Sequence, residues 1–207
     1  MKKSNWIFEI IKKVHQKNIH TQRVDRISTL ISENIPIDIK TILDIGCGDG
    51  KLSKLIMTKN QKVEIIGLDV MERPKCDIEY HYFDGEILPF NDHFFDAIQY
   101  IDVLHHTNNI KKEIENGITK TKKYVIIKDH IYKSQIDFLI LKFMDWIGNA
   151  PHGVKVIYNF KKKEEWLKLF EENKLEVIYF NDNLSLYSRF LDKIFGRSLH
   201  FIAILKL

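Results

Sequence analysis

This sequence has few cysteines, no long apolar run and little net charge, so it lacks the features that mark several protein classes. Only two cysteines, Cys47 and Cys76, occur among 207 residues, which excludes a disulfide framework of the kind that holds small secreted proteins together. Neither cysteine lies at a metal-ligand spacing, and we predict no metal site. No apolar run reaches the length that spans a bilayer. The net charge of +4 is small and comes from scattered lysines, so a nucleic-acid partner is not indicated.

The first residues, MKKSNWIFEIIKKVHQK, start with two lysines but do not match an export signal. Glu9, Lys12 and Lys13 interrupt what would be its apolar core, and the segment instead predicts an amphipathic helix. Two unpaired cysteines suit a reducing compartment. We therefore expect a cytoplasmic protein.

What the sequence does contain is an alternation of strand-like and helix-like segments. The stretch VDRISTLISEN, 24–34, places apolar residues at helical spacing before Pro36 ends the helix. From Lys40 onward the strand-like segments are KTILDIG, KVEIIGLDV, IEYHYFDG, FFDAIQYID, KYVIIKDH, LEVIYFND and SLHFIAILKL. Helices are expected over KLSKLIMTKN, about 106–120, much of 131–150 and KKKEEWLKLFEENK. This alternation predicts an α/β fold, a doubly wound, mostly parallel sheet with helices on both faces. We expect one domain over 1–207, with N-terminal helices in 1–36.

The segment LDIGCGDGKL, 43–52, carries three closely spaced glycines directly after an apolar strand. Such glycines let the backbone turn tightly against a ligand. Asp69 ends the second strand, about 20 residues beyond the first glycine, where a carboxylate accepts the hydrogen bonds of a ribose diol. Asp84 ends the third strand, where a side chain can meet the edge of a base. Together these positions predict a site for a cofactor that contains a nucleoside.

Two residues near the glycines bear on which cofactor binds. The dinucleotide fingerprint has glycine or alanine as its third element, and this sequence has Lys51 there. Asp44 stands just ahead of the glycines, where it would repel a pyrophosphate and attract an ammonium or sulfonium group. Both residues favour S-adenosylmethionine over a nicotinamide cofactor.

In this order and spacing, LDIGCGDG, GLDV, FDGEILPFNDHFFDAIQYIDVLHH and YVIIKDH resemble the class I S-adenosylmethionine-dependent methyltransferases. The resemblance covers residues 40–130 and is to the type 11 branch in particular, near the quinone-biosynthesis methyltransferases. It implies a Rossmann-like methyltransferase fold with a seven-stranded sheet. The helix 161–174 and the last two strands are similar to the closing hairpin of the family, in which the final strand is antiparallel.

The resemblance also implies how individual residues would hold S-adenosylmethionine. Asp44 would lie near the methionine amino group, and Gly46 and Gly48 would let the backbone approach the cofactor. Asp69 would hold the ribose hydroxyls. The remaining contacts, to the adenine ring and to the methionine chain, would come from Asp84, Gly85 and Ile101.

Methyl transfer is an in-line displacement at a positively charged sulfur, so a methyltransferase chiefly aligns a nucleophile and removes its proton. A base for that proton should lie at the carboxyl ends of the fourth and fifth strands. We favour His105 and His130, because the unperturbed pKa of histidine lies near neutral pH. His106 and Asp129 are expected to contact the acceptor. Each of these residues has the alternative of a purely structural, hydrogen-bonded role.

Signatures of other methyltransferases are missing. No tetrapeptide similar to Asn-Pro-Pro-Tyr follows the fourth strand, no cysteine is placed to attack a pyrimidine, and the last strand contains no glutamate. A small molecule is therefore the expected acceptor. A nicotinamide-dependent oxidoreductase and a non-catalytic cofactor-binding partner protein are the alternative functions.

The segment 131–160, after the fifth strand, is longer than a crossover requires and rich in apolar side chains. We expect a helical insertion that acts as a lid over the acceptor, with GNAPHG as its hinge. Trp146, His152 and Tyr158 would then line a partly apolar pocket. An extra core helix and a helix that lies on a membrane surface are the alternatives.

Overall fold

The computed structural model describes residues 21–149, 157–187, 192–196 and 198–207. The helix expected in the first 17 residues lies outside this part of the chain, as does His152. The strands are β1 (Thr41–Ile45), β2 (Glu64–Asp69), β3 (Tyr80–Tyr82), β4 (Phe95–Ile101), β5 (Thr121–His130), β6 (Glu176–Asn181) and β7 (His200–Lys206). The helices are α1 (21–34), α2 (Lys51–Lys59), α3 (Ile110–Lys120), α4 (Gln135–Asn149) and α5 (Lys163–Glu172).

The strands of the described residues form one sheet in the order β3-β2-β1-β4-β5-β7-β6. Neighbours from β3 to β5 are parallel, whereas β7 runs antiparallel to both β5 and β6. The predicted fold class and the antiparallel last strand are confirmed. The strand order reverses between β1 and β4, and ligands of such sheets bind beyond the carboxyl ends of the strands at this switch point.

Each face of the sheet carries its own apolar core, because successive side chains of a strand point to opposite faces. In β1, Ile42 belongs to one core and Leu43 to the other. The first core includes Ile27 and Ile31 of α1 and Ile56 of α2. The second core includes Ile110 and Ile114 of α3 and Trp166 and Phe170 of α5. The helices therefore cover both faces, as the alternating sequence predicts.

The helix predicted from about His106 begins later, at Ile110. The Asn109 side chain accepts the backbone N–H of Lys112 at 3.1 Å, a cap that typically contributes about 1 kcal/mol. Residues Leu104–His106 form a separate 3-10 turn. The two neighbouring histidines consequently lie on a tight turn beyond the end of β4 rather than in a helix.

Helix α4 is attached through a small apolar cluster built around Leu141, Phe160 and Leu199. Its outward face exposes four large apolar side chains at helical spacing, which we name the α4 stripe: Ile136, Leu139, Phe143 and Trp146. Within the described part of the chain, every helix falls short of the length and apolarity that crossing a bilayer demands.

Candidate functional site

The loop after β1 adopts a backbone that side chains disfavour. Gly46, Gly48 and Gly50 have φ angles of +81°, +61° and +72°, in the left-handed region where glycine is the default residue. A Cβ on Gly46 would lie 2.5 Å from Val103, so packing within the protein already requires glycine there. A Cβ on Gly48 would meet nothing within 4 Å. Gly48 is thus the position at which a ligand can approach the backbone.

Asp44 lies under this loop and is only 4% exposed. Ser53 donates its hydroxyl to Asp44 Oδ2 at 2.6 Å, and Gln99 donates to the Ser53 hydroxyl at 2.8 Å. The other oxygen, Oδ1, is buried without a hydrogen-bond partner among the described residues. Burial raises the pKa of Asp44 to about 6. A buried carboxylate oxygen that lacks a hydrogen-bond partner can accept a cationic donor, such as the ammonium group of a methionine moiety.

Asp69, at the end of β2, is 3% exposed and already holds three donors. Its carboxylate accepts the backbone N–H of Gly48 at 2.9 Å and that of Met71 at 2.8 Å. The guanidinium of Arg73 donates to it at 2.9 Å. A ribose diol would have to share this carboxylate with Arg73 or displace it. Arg73 was not among the residues that the sequence predicted for the site.

The other residues predicted to contact the cofactor lie around this loop with less burial. Asp84 is exposed, two residues beyond β3, and accepts the backbone N–H of Glu86 at 2.9 Å. Gly85 has a φ of +86°, and a Cβ there would lie 3.4 Å from Val70. Ile101 ends β4 half-buried.

A second group of polar side chains lies beyond β4 and β5. His105 Nδ1 lies 2.7 Å from Asp129 Oδ1, and both residues are buried. Burial alone would lower the pKa of His105, but the charge and hydrogen bond of Asp129 outweigh it and raise this pKa to about 9. Both Nε2 atoms of His105 and His106 face Asp145 Oδ1, at 3.4 and 3.5 Å. The structure therefore brings His105, His106 and Asp129 together with Asp145 of α4.

His130 also joins this group. Its Nδ1 lies 3.2 Å from Asp129 Oδ1, and its backbone N–H donates to the same oxygen at 2.7 Å. Burial and the charge of Lys128 lower the pKa of His130 to about 4, so its imidazole is neutral at physiological pH.

A buried ion network lies beside the histidines. Asp102 has a φ of +56°, accepts Arg23 from α1 at 2.6 Å and pairs with the buried ammonium of Lys128 on β5. Burial and the charge of Arg23 lower the pKa of Lys128 to about 8. His200 on β7 lies 3.5 Å from the same ammonium. The sequence did not point to Arg23, Lys128 and His200, which become neighbours only in the folded chain.

Of the two described residues that the sequence predicted for an acceptor pocket on the insertion, Tyr158 lies near the buried histidines. Its ring is 6.1 Å from that of Phe160, which stacks on His105 at 5.2 Å. Trp146 is 55% exposed in the α4 stripe and stacks on Phe143 at a centroid distance of 6.5 Å. Tyr158 is half-buried, and the Lys142 ammonium lies 5.1 Å from the centre of its ring.

Comparison with known proteins places this geometry in context. An uncharacterised protein of Methanocaldococcus jannaschii is 32% identical over 126 residues, which cover 57% of this chain and 56% of that protein. The tRNA U34 carboxymethyltransferase of Nautilia profundicola is 30% identical over 103 residues, 43% of this chain and 34% of that protein. The matched regions thus span between a third and just over half of these relatives.

Solved structures share the fold at low sequence identity. A chain of the complex that contains the Haloferax volcanii Trm112 methyltransferase activator superposes with a TM-score of 0.66 at 11% identity, over 93% of this chain and 92% of that chain. A SAM-dependent methyltransferase of Aquifex aeolicus gives a TM-score of 0.57 at 15% identity, over 86% and 88% of the two chains. A family model described as a methyltransferase domain matches residues 15–179. Since that match covers most of the sequence, this chain belongs to the methyltransferase domain family.

Proposed function

We propose that this protein transfers a methyl group from S-adenosylmethionine to a small, partly apolar acceptor. The observation that carries the cofactor assignment is the buried oxygen of Asp44, which has no hydrogen-bond partner among the described residues and lies under a glycine loop that faces open space at Gly48. A site of this kind favours a cationic ligand over a pyrophosphate. S-adenosylmethionine carries an ammonium group, and when bound it supplies an electrophilic methyl carbon.

The residues named for the cofactor keep the roles that the sequence suggested. Asp44 would bind the amino group, and the backbone at Gly46 and Gly48 would lie along the ligand. Asp69 would bind the ribose diol once the guanidinium of Arg73 releases one of the carboxylate's hydrogen-bonding positions. We assign the adenine and methionine contacts to Asp84, Gly85 and Ile101. Assignment to the quinone-biosynthesis branch likewise remains a prediction.

Of the two histidines predicted as bases, His130 is the one that is neutral at physiological pH, although its lowered pKa makes it a weaker base than an exposed imidazole. His105 has both ring nitrogens facing carboxylates and is 1% exposed. His130 has Nδ1 directed at Asp129, which leaves Nε2 as the nitrogen that can accept a proton. A carboxylate that orients an imidazole in this way is a recurring arrangement for a general base.

The α4 stripe supports the assignment of the acceptor class. One relative is named for action on tRNA, but surfaces that bind RNA are rich in basic side chains, whereas the four residues of the stripe are apolar. We propose that α4 acts as a lid, with Trp146 and Tyr158 near an apolar part of the acceptor. Replacement of Trp146 by alanine should then raise KM for the acceptor and leave KM for S-adenosylmethionine unchanged.

The test is formation of S-adenosylhomocysteine with a panel of small phenols, carboxylic acids and amines, with bulk tRNA as a separate arm. We expect turnover with at least one small-molecule class, and a loss of about 10²–10⁴-fold in His130→Ala with unchanged cofactor affinity. Lys51→Ala, which removes an exposed charge directly after the glycine loop, is the control and should change neither quantity.

Three results would contradict the proposal. Binding of a nicotinamide cofactor in place of S-adenosylmethionine would favour the oxidoreductase. Cofactor binding without turnover in any arm would favour the non-catalytic role. Turnover with tRNA alone would refute the acceptor class.

A further inference from the structure

Five side chains with metal-ligating atoms converge beyond the ends of β4 and β5. In two groups of three, the ligand atoms lie within 4.8 Å of one another. One group is His105, Asp129 and His130, and the other is His105, His106 and Asp145. The sequence predicted no metal site, because its cysteines are too few and the five residues come from three separate segments.

Distances distinguish the two groups. Two ligands on a tetrahedral ion with bonds of about 2.0–2.2 Å lie about 3.4 Å apart. The Nε2 atoms of His105 and His106 lie 3.4 and 3.5 Å from Asp145 Oδ1, which is long for an N–H···O hydrogen bond. By contrast, His105 Nδ1 and Asp129 Oδ1 are separated by 2.7 Å, the length of a charge-assisted hydrogen bond. The spacing of a metal site is therefore found in the second group.

Asp129 does not belong to the second group, but it orients one member of that group, His105. Its hydrogen bond keeps a proton on Nδ1 of His105, so Nε2, which faces Asp145, is the nitrogen that would bind the ion after releasing its own proton. Histidines that bind metals usually donate their other N–H to a carboxylate in this manner. Asp129 is itself fixed by the backbone N–H groups of His130 at 2.7 Å and His105 at 3.3 Å.

We propose that His105, His106 and Asp145 bind one divalent transition-metal ion of the zinc class. Two imidazoles and a carboxylate, without a thiolate, suit zinc and the neighbouring divalent ions. Three protein ligands leave a fourth position open. The His106 side chain is 19% exposed, whereas those of His105 and Asp145 are 1% and 6% exposed, so the ion would enter on the side of His106. If the proposed function holds, the open position is where an acceptor oxygen or nitrogen would bind.

The experiment uses the full chain, stripped with a chelator and then supplied with Zn²⁺ alone. Metal content after gel filtration is measured by mass spectrometry, and affinity by competition with a chromophoric chelator. We expect one equivalent of Zn²⁺ per chain, lost in Asp145→Asn and in His106→Gln. Asp129→Asn should keep the stoichiometry and weaken the affinity by about 10–100-fold.

His81→Ala is the matched control for adventitious binding, because His81 is an exposed histidine that also lies near a carboxylate, 3.7 Å from Glu79. This variant should bind Zn²⁺ as the unaltered chain does. Absence of binding in the unaltered chain, equal loss in His81→Ala, or full binding by a folded Asp145→Asn variant would each overturn the site.

Titration of the same samples with S-adenosylhomocysteine separates this inference from the proposed function. Cofactor binding in a chain that binds no zinc refutes the metal site alone. Zinc binding in a chain that binds no cofactor refutes the proposed function alone.

Discussion

The carboxylate of Asp69 already accepts hydrogen bonds within the protein, and it is also the proposed acceptor for the ribose diol of the cofactor. It accepts the N–H groups of Gly48 and Met71 and a guanidinium N–H of Arg73. Asp69→Asn keeps the volume of the side chain, removes its charge and turns one of its oxygens into an NH₂ donor. At least one of the three donors that face Asp69 then loses its acceptor.

Asp69→Asn should change both the stability of the protein and its affinity for the cofactor. A hydrogen bond to a charged group contributes about 1.5–3 kcal/mol, and a buried donor left unpaired costs about 1–3 kcal/mol. We therefore expect Asp69→Asn to lower the free energy of unfolding by about 2–4 kcal/mol. Loss of the charged acceptor for the ribose diol should weaken cofactor binding by about 1.5–3 kcal/mol, which is about 10–150-fold in Kd.

Arg73→Met is the informative partner variant. It removes the cation that occupies Asp69, but the carboxylate and the two backbone hydrogen bonds stay in place. Because the diol no longer competes with the guanidinium, cofactor affinity should be unchanged or up to about tenfold higher. Calorimetric titration with S-adenosylhomocysteine gives Kd, and urea unfolding of the same samples gives stability.

The reasoning would be refuted if Arg73→Met weakened cofactor binding as much as Asp69→Asn does. The cofactor would then depend on the guanidinium, and Asp69 would act only by holding it. Unchanged affinity in a folded Asp69→Asn variant would equally remove Asp69 from the diol site.

Three further predictions concern buried charges. Because burial raises the pKa of Asp44 to about 6, affinity for S-adenosylhomocysteine should rise as pH increases through 6, and Asp44→Asn should abolish that rise in titrations across this range. The raised pKa also means that the ligand-free protein loses up to about 3 kcal/mol of stability as pH rises from about 4 through 6. Asp102→Asn leaves Arg23 and Lys128 without their shared anion and should cost about 3–5 kcal/mol in urea unfolding. Addition of Lys128→Met should recover part of this cost, and simple additivity of the two changes would contradict the network.

The relative positions of Asp44 and Asp69 could be predicted because the ends of parallel strands meet at one edge of the sheet. Asp44 and Asp69 lie within β1 and at the end of β2, and their approach to the glycine loop follows from strand order alone. The fold class was predictable from local patterns, since most strands and helices show a clear periodicity of apolar residues.

The ion network could not be predicted in this way. Lys128 lies within an apolar strand, and its pairing with Asp102 depends on the register of β4 against β5, in which Ile101 lies beside Lys128. Arg23 reaches the same carboxylate from 79 residues away, through the packing of α1. Likewise, the turn at Leu104–His106 decides that His105 is buried and His106 is partly exposed, and the sequence gives adjacent histidines no such distinction.

The position of β7 between β5 and β6 has a consequence for biosynthesis. Strand β7 follows both neighbours in the sequence, so β5 leaves the ribosome with one edge that has no partner until residues 200–206 have been made. That edge belongs to a strand whose centre, Val125–Ile127, is fully apolar, and exposed edges of this kind pair with other chains. Pairing of segments so distant in sequence is also slow. The nascent chain is therefore most prone to aggregate between synthesis of His130 and His200, and chaperone binding or a slow ribosome within that interval would change the yield of folded protein more than elsewhere.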